Sequence, residues 1–160
     1  MSRAFWTGLA IAGAVLVETA LAYVVASPGR YLDPFLLVTV YCALAGGETH
    51  GMLAGAAAGW VQDVLFGGRV LGLSSLSKLA VGFGVGLSGG RFMIVSAAAR
   101  ALVILLATVA DALLLQWLAS VFSLPATGLS PLALVSRATL NALVGGLAFA
   151  LADRRLGSRP

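Results

Sequence analysis

The sequence predicts an all-α integral membrane protein, and three observations carry that reading. Hydrophobic residues make up 60% of the 160, and charged residues only 10%. Mean hydropathy is +1.02. The apolar stretches are interrupted at intervals by short clusters of glycine, proline and charge. A soluble domain carries about a quarter charged residues and needs a polar surface that this composition does not supply. A span needs about 20 apolar residues for a hydrocarbon core roughly 30 Å thick. Six spans would therefore use about 120 residues and leave about 40 for turns and ends. Residues 1–160 thus read as a single membrane domain with six transmembrane helices and no soluble part.

The elements follow in order. Residues 4–26 form the first predicted helix. Arg3 and the Ala20-Leu21-Ala22 run suggest a cleavable leader, but Glu18 interrupts the apolar stretch and no secreted domain follows, so the helix is read as retained. Ser27 to Pro34 holds two prolines and a glycine and reads as a loop. The second helix is 33–45, a turn runs from Gly46 to Gly51, and the third helix is 51–66. These two are short enough that a re-entrant hairpin, leaving four or five full spans, is the alternative. Gly67 to Gly72 is a glycine-rich loop, and 74–88 the fourth helix. Gly89-Gly90-Arg91 is a tight turn. The fifth helix, 92–122, exceeds the length of a span and so tilts or starts along the interface. Ser123 to Pro131 is the last loop, 132–151 the sixth helix, and a polar tail follows.

Basic residues in short loops set orientation. With six spans, Arg3, Arg91, Arg154, Arg155 and Arg159 share one side, against Arg30 and Arg69 on the other. Both termini are then cytoplasmic. The net charge of +4 is explained by this bias; the arginines are too scattered for a nucleic-acid groove.

Two glycine series predict close packing. Gly51, Gly55 and Gly59 recur at spacing four, as do Gly82, Gly86 and Gly90. Small residues so spaced make a flat helix face on which another backbone can lie.

Charges at membrane depth cost at least about 2.5 kcal/mol near the centre, so each needs a reason. They are Glu18, Asp63, Lys78, Arg100, Asp111 and Arg137. Asp63 and Lys78 flank one short loop at similar depth, with Gln62, Ser74, Ser75 and Ser77 on the same level; they read either as a functional polar cluster at the outer mouth or as an ion pair that clips the hairpin. Asp111 sits deepest; it pairs with Arg137, or with Arg100 across three helical turns of reach, or stays protonated and hydrogen-bonded to another helix. No catalytic set is legible. His50 falls in a turn without a second His or Cys for a metal, and Cys42, the single cysteine, lies in an apolar run. The loop glycines lack a phosphate-binding GK[ST] signature. No cofactor is implied.

The stretch from Gly51 to Gly82 resembles the MreD family. It shows a glycine-spaced helix ending in Gln62-Asp63, a Gly67-Gly68 loop, Leu71-Gly72, then a helix carrying Ser77-Lys78 and Gly82. Asp33-Pro34 before the second helix is similar to the family's pattern there. Ser74 stands where members often carry Asn. The resemblance implies a six-helix fold similar to the substrate-binding subunits of energy-coupling-factor transporters. It implies a non-enzymatic scaffold of the bacterial cell-elongation complex, in the cytoplasmic membrane. The partners it implies are MreC directly, and MreB, RodA and its penicillin-binding transpeptidase through MreC. The competing expectation is a substrate-binding subunit of a vitamin-type transporter, with a cavity near Asp63, Lys78 and Glu18.

Overall fold

The computed structural model describes residues 3–24, 31–66, 70–92, 96–124 and 130–156. Arg30, Arg69 and Arg159 lie outside them, as do the side-chain surroundings of Arg3, Gly90, Arg91, Arg154 and Arg155. Five helices form: α1 (Arg3–Val24), α2 (Pro34–Leu65), α3 (Leu73–Phe92), α4 (Ala97–Val121) and α5 (Pro131–Leu156).

Helix α2 starts where its sequence dictates. Asp33 is the N-cap, accepting from the Leu36 backbone N–H at 2.9 Å, and Pro34 fills the first helical position, where no N–H is needed. Gly47 then leaves helical geometry at φ 81, a backbone region open to glycine at little cost. The chain reverses there. Ala43 comes to lie against Gly51, and the Thr39 methyl against Gly55. The rings of Phe35 and Phe66 meet at 5.8 Å. The expected six-residue turn over Gly46–Gly51 is thus a single non-helical residue between two limbs.

This corrects the expected count of six transmembrane helices. The second and third predicted helices are limbs of one bent element. Among the described residues, three helices are long and apolar enough to cross a membrane: Ala4–Val24, Ala97–Val121 and Pro131–Leu151. The limb Pro34–Gly46 reaches only about 20 Å at the rise of an α-helix. In α3, serines, glycines and Lys78 dilute the apolar residues. The tight turn expected at Gly89-Gly90-Arg91 is also overturned, because α3 continues through it to Phe92. Helix α4 starts later than expected, at Ala97. Ser96 caps it, its Oγ accepting from the Ala99 N–H at 3.2 Å.

The most extensive interface joins α2 to α3. Its glycines pair in antiparallel register. A methyl at Gly51 would meet the Gly82 carbonyl, one at Gly55 the Lys78 carbonyl, and one at Gly59 the Ser74 carbonyl; Gly86 lies against Gly47 and Glu48. Each of these built contacts is under 3.0 Å, closer than a real Cβ tolerates. The apolar core has two parts. Leu36, Val40 and Ala43 of α2 meet Val81 and Val85 of α3 and Ile104 and Ala107 of α4. Ile11 and Ala14 of α1 meet Phe35 and Ala58. Leucines and aromatics cover the outside: Leu16 is 71% exposed, Trp117 61% and Leu132 80%. A surface of this kind is built for lipid or for other helices.

Candidate functional site

The polar residues gather in the interior. Asp33 is carried there as the cap of α2, Lys78 by the second turn of α3, Asp111 by the middle of α4, and Arg137 by the second turn of α5. Lys78 Nζ lies 2.9 Å from Asp33 Oδ2 and 3.6 Å from Asp111 Oδ2. Arg137 Nη2 lies 2.6 Å from the same Asp33 oxygen and 3.4 Å from the same Asp111 oxygen. Two anions and two cations therefore form a closed quartet in which each charge faces both of opposite sign. Asp33, Lys78 and Asp111 are all 0% exposed.

Neutral groups complete it. Ser77 Oγ donates to Asp111 Oδ1 at 2.7 Å. The Asp33 backbone N–H donates to Asn141 Oδ1 at 3.0 Å, and Asn141 Nδ2 donates to Thr108 Oγ1 at 3.1 Å. Thr108 in turn donates to the Ile104 carbonyl at 2.8 Å. Four helices are thus tied through one network. Buried charges persist only when paired and hydrogen-bonded, and the carboxylates of Asp33 and Asp111 meet that condition.

The expected Asp63–Lys78 pair is not formed. Lys78 turns away from the loop toward Asp33 and Asp111, and Asp63 Oδ2 accepts from the backbone N–H groups of Gly72 and Ser74 at 2.9 and 3.1 Å. Asp63 therefore closes the loop and caps the start of α3, where the helix dipole favours a negative charge. Its Oδ1 and the Gln62 Oε1 are buried without partners. Ser75 Oγ donates to the Ala56 carbonyl at 2.8 Å, across the same hairpin. Ser74 contributes its backbone at the Gly59 contact.

Of the other charged residues flagged in the sequence, Asp111 and Arg137 are brought together. Arg100 stands apart, its guanidinium 5.3 Å from the centroid of the Phe149 ring. Glu18 is 3% exposed, with Oε2 unpartnered. His50 is a helical residue of α2 rather than a solvated turn residue, its Nε2 3.1 Å from Thr7 Oγ1. Among the described residues, no group of three metal-ligating side chains converges.

Sequence reasoning missed Asp33, Thr108 and Asn141. Asp33 was legible only as a residue preceding proline, which marks a helix start but not a buried ion. Asn141 offered a signal, an amide inside an apolar run, of the kind that bonds across helices in lipid. The site holds its buried charges in place, each within reach of both charges of opposite sign. Comparison with protein-family models, curated proteins and solved structures returns no match.

Proposed function

We propose that this chain is a non-enzymatic membrane scaffold of the MreD type, acting in the bacterial cytoplasmic membrane on other membrane proteins of the cell-elongation machinery. The single observation that carries this is where the polar groups go. In the Gly51–Gly82 stretch the glycines hold α2 to α3 and Ser77 and Lys78 join the quartet, so the described helices meet their surroundings through apolar faces. MreC is the direct partner in this reading; MreB, RodA and the penicillin-binding transpeptidase are reached through it. The resemblance and the arginine bias support cytoplasmic termini. The α1 start and the α5 end both lie near the Gly47 reversal, through the Thr7–His50 and Tyr41–Phe149 contacts, so they share one end of the molecule.

The transporter alternative needs a cavity of about 300 Å³ or more for a drug-sized ligand. Among the described residues, one cavity of about 260 Å³ lies between α3 and α4 and another of about 150 Å³ between α1 and α2. Neither is lined by Asp63, Lys78 or Glu18. Co-purification in detergent with MreC from the same genome tests the scaffold reading. A stable complex, with loss of rod shape on deletion of this gene, is the expected result. Failure of both removes the proposal.

A further inference from the structure

Helices α3 and α4 run antiparallel and touch where Ser77 meets Asp111. Beside that contact they leave a slot of about 260 Å³, walled by Ala80, Gly84 and Ser88 of α3 and by Val103, Ala110 and Leu114 of α4. Ala80, Gly84 and Ala110 are exposed, so the slot opens sideways on the apolar outer surface. Ser88 Oγ donates to the Gly84 carbonyl at 2.8 Å, which leaves that wall without a free hydroxyl proton. A methyl at Gly84 would meet nothing within 4 Å, so the space above this backbone is open.

The dimensions select the occupant. From Ala80 to Ser88 the wall is about 12 Å long at the rise of an α-helix, so about 260 Å³ gives a cross-section of roughly 20 Å². A helix with its side chains is about 10–12 Å across and several times too large in section to enter. One unbranched hydrocarbon chain, a single methylene wide, fits lengthwise. A polyisoprenyl chain, with a methyl branch on every unit, is wider.

Charge at one end says what that chain is attached to. Ser88 and Arg100 each lie eleven residues from the Ser77–Asp111 contact, so they stand level. The Arg100 guanidinium is 5.3 Å from the centroid of the Phe149 ring. The same end holds the first turn of α4. Ser96 Oγ takes the Ala99 N–H, while the N–H groups of Ala97 and Ala98 have no carbonyl within their own helix to bond. Both alanines are exposed, with only a methyl each to cover those groups. The positive end of the α4 dipole and the charge of Arg100 together favour an anion here. Glu48, also at this end, lies on the α2 side of α3, against Gly86.

We propose that the α3–α4 slot binds one acyl chain of an anionic phospholipid, with the lipid phosphate at the first turn of α4 beside Arg100. Basic sites between helices on the cytoplasmic side of a membrane hold anionic head groups in this way. The inference is independent of the scaffold reading, since it depends only on the slot and the charge at its end.

The test titrates the full chain, in mild detergent, with phosphatidylglycerol and with phosphatidylcholine of the same acyl chains, and counts bound lipid by native mass spectrometry. Phosphatidylglycerol should bind about fivefold more tightly, the preference that about one near-surface arginine supplies. Gly84→Leu and Ala110→Leu fill the slot from opposite walls, and each should lose that lipid while keeping a cooperative melt. Gly146→Leu, on α5 where an added methyl also meets nothing within 4 Å, should retain it. Arg100→Gln should bind the two lipids alike, and Arg100→Lys should keep the preference. Equal affinity for the two lipids in the unaltered chain overturns the proposal. So does lipid retained when either wall is filled, lipid lost equally in Gly146→Leu, or an unchanged preference in Arg100→Gln. A polyisoprenyl phosphate that binds more tightly than phosphatidylglycerol, and is blocked by Ala110→Leu, overturns the choice of occupant.

Discussion

The cost of a buried charge is decided by what neutralises it, and Lys78 finds its neutralising groups far along the chain. Asp33 is 45 residues away and Asp111 lies on another helix. The burden on Lys78, Asp111 and Arg137 was legible, because an ionisable residue in an apolar run always demands a partner. The identity of the partner was not. Loop proximity favoured Asp63, and proximity in sequence says nothing about which way a side chain turns on its helix. The two pairings differ measurably. Lys78→Met should destabilise the fold by about 3–5 kcal/mol, because it leaves two buried carboxylates with one cation. Adding Asp33→Asn should cost much less than it does alone, since the two residues touch. Adding Asp63→Asn should be additive within about 0.5 kcal/mol, as for sites without shared partners. Denaturation in detergent micelles gives both cycles. Coupling of Lys78 to Asp63, with additivity to Asp33, would restore the pairing expected from the loop.

At the scale of the element, the glycine series was readable as a flat face, but its register was not. The spacing says that a backbone can approach; only the folded hairpin shows that the backbone arriving at Gly55 is that of Lys78. The hairpin therefore positions the quartet, since the glycine contact sets the depth of the lysine. Gly55→Ala should cost about 1–3 kcal/mol by overpacking, and it should also weaken the coupling between Lys78 and Asp33. Gly84→Ala, on the same α3, should be close to neutral, because nothing lies within 4 Å of the added methyl. Equal melting temperatures for the two variants would show that the close approach is not what holds α2 to α3. Gly47 is a different case. A methyl there also meets nothing within 4 Å, so Gly47→Ala should cost about 1–3 kcal/mol through its backbone conformation alone, φ 81 and ψ -172 being a region almost restricted to glycine. That residue explains why the helix count was misjudged. Hydropathy and glycine clusters locate a break, but not whether it is a loop or one residue of reversal.

For the whole molecule, the membrane class was legible from composition, because no arrangement of these residues gives a polar surface. The number of crossings was not, since a limb too short to span can still be buried by its neighbours. What the packing does determine is which loops share an end. The Gly47 reversal meets α1 through the Thr7–His50 contact and meets α3 at Gly86. The start of α4 meets the end of α5 through Arg100 and Phe149. Helices α3 and α4 run antiparallel, with Ser77 on Asp111 and Val81 in one cluster with Ile104 and Ala107. Glu48 and Ser96 therefore belong to one end, and Val70 and Ser123 to the other; all four are exposed. In a Cys42→Ser background, single cysteines at Glu48 and Ser96 should react with a membrane-impermeant maleimide only after the cell is opened. Those at Val70 and Ser123 should react in intact spheroplasts, as the proposed orientation with the arginine-rich Glu48 end in the cytoplasm requires. Reversed labelling of all four would keep the packing and invert the orientation. Opposite sides for Glu48 and Ser96 would break the packing itself, because the α2–α3 glycine register and the α3–α4 contacts at Ser77 and Val81 together force those two loops to one end.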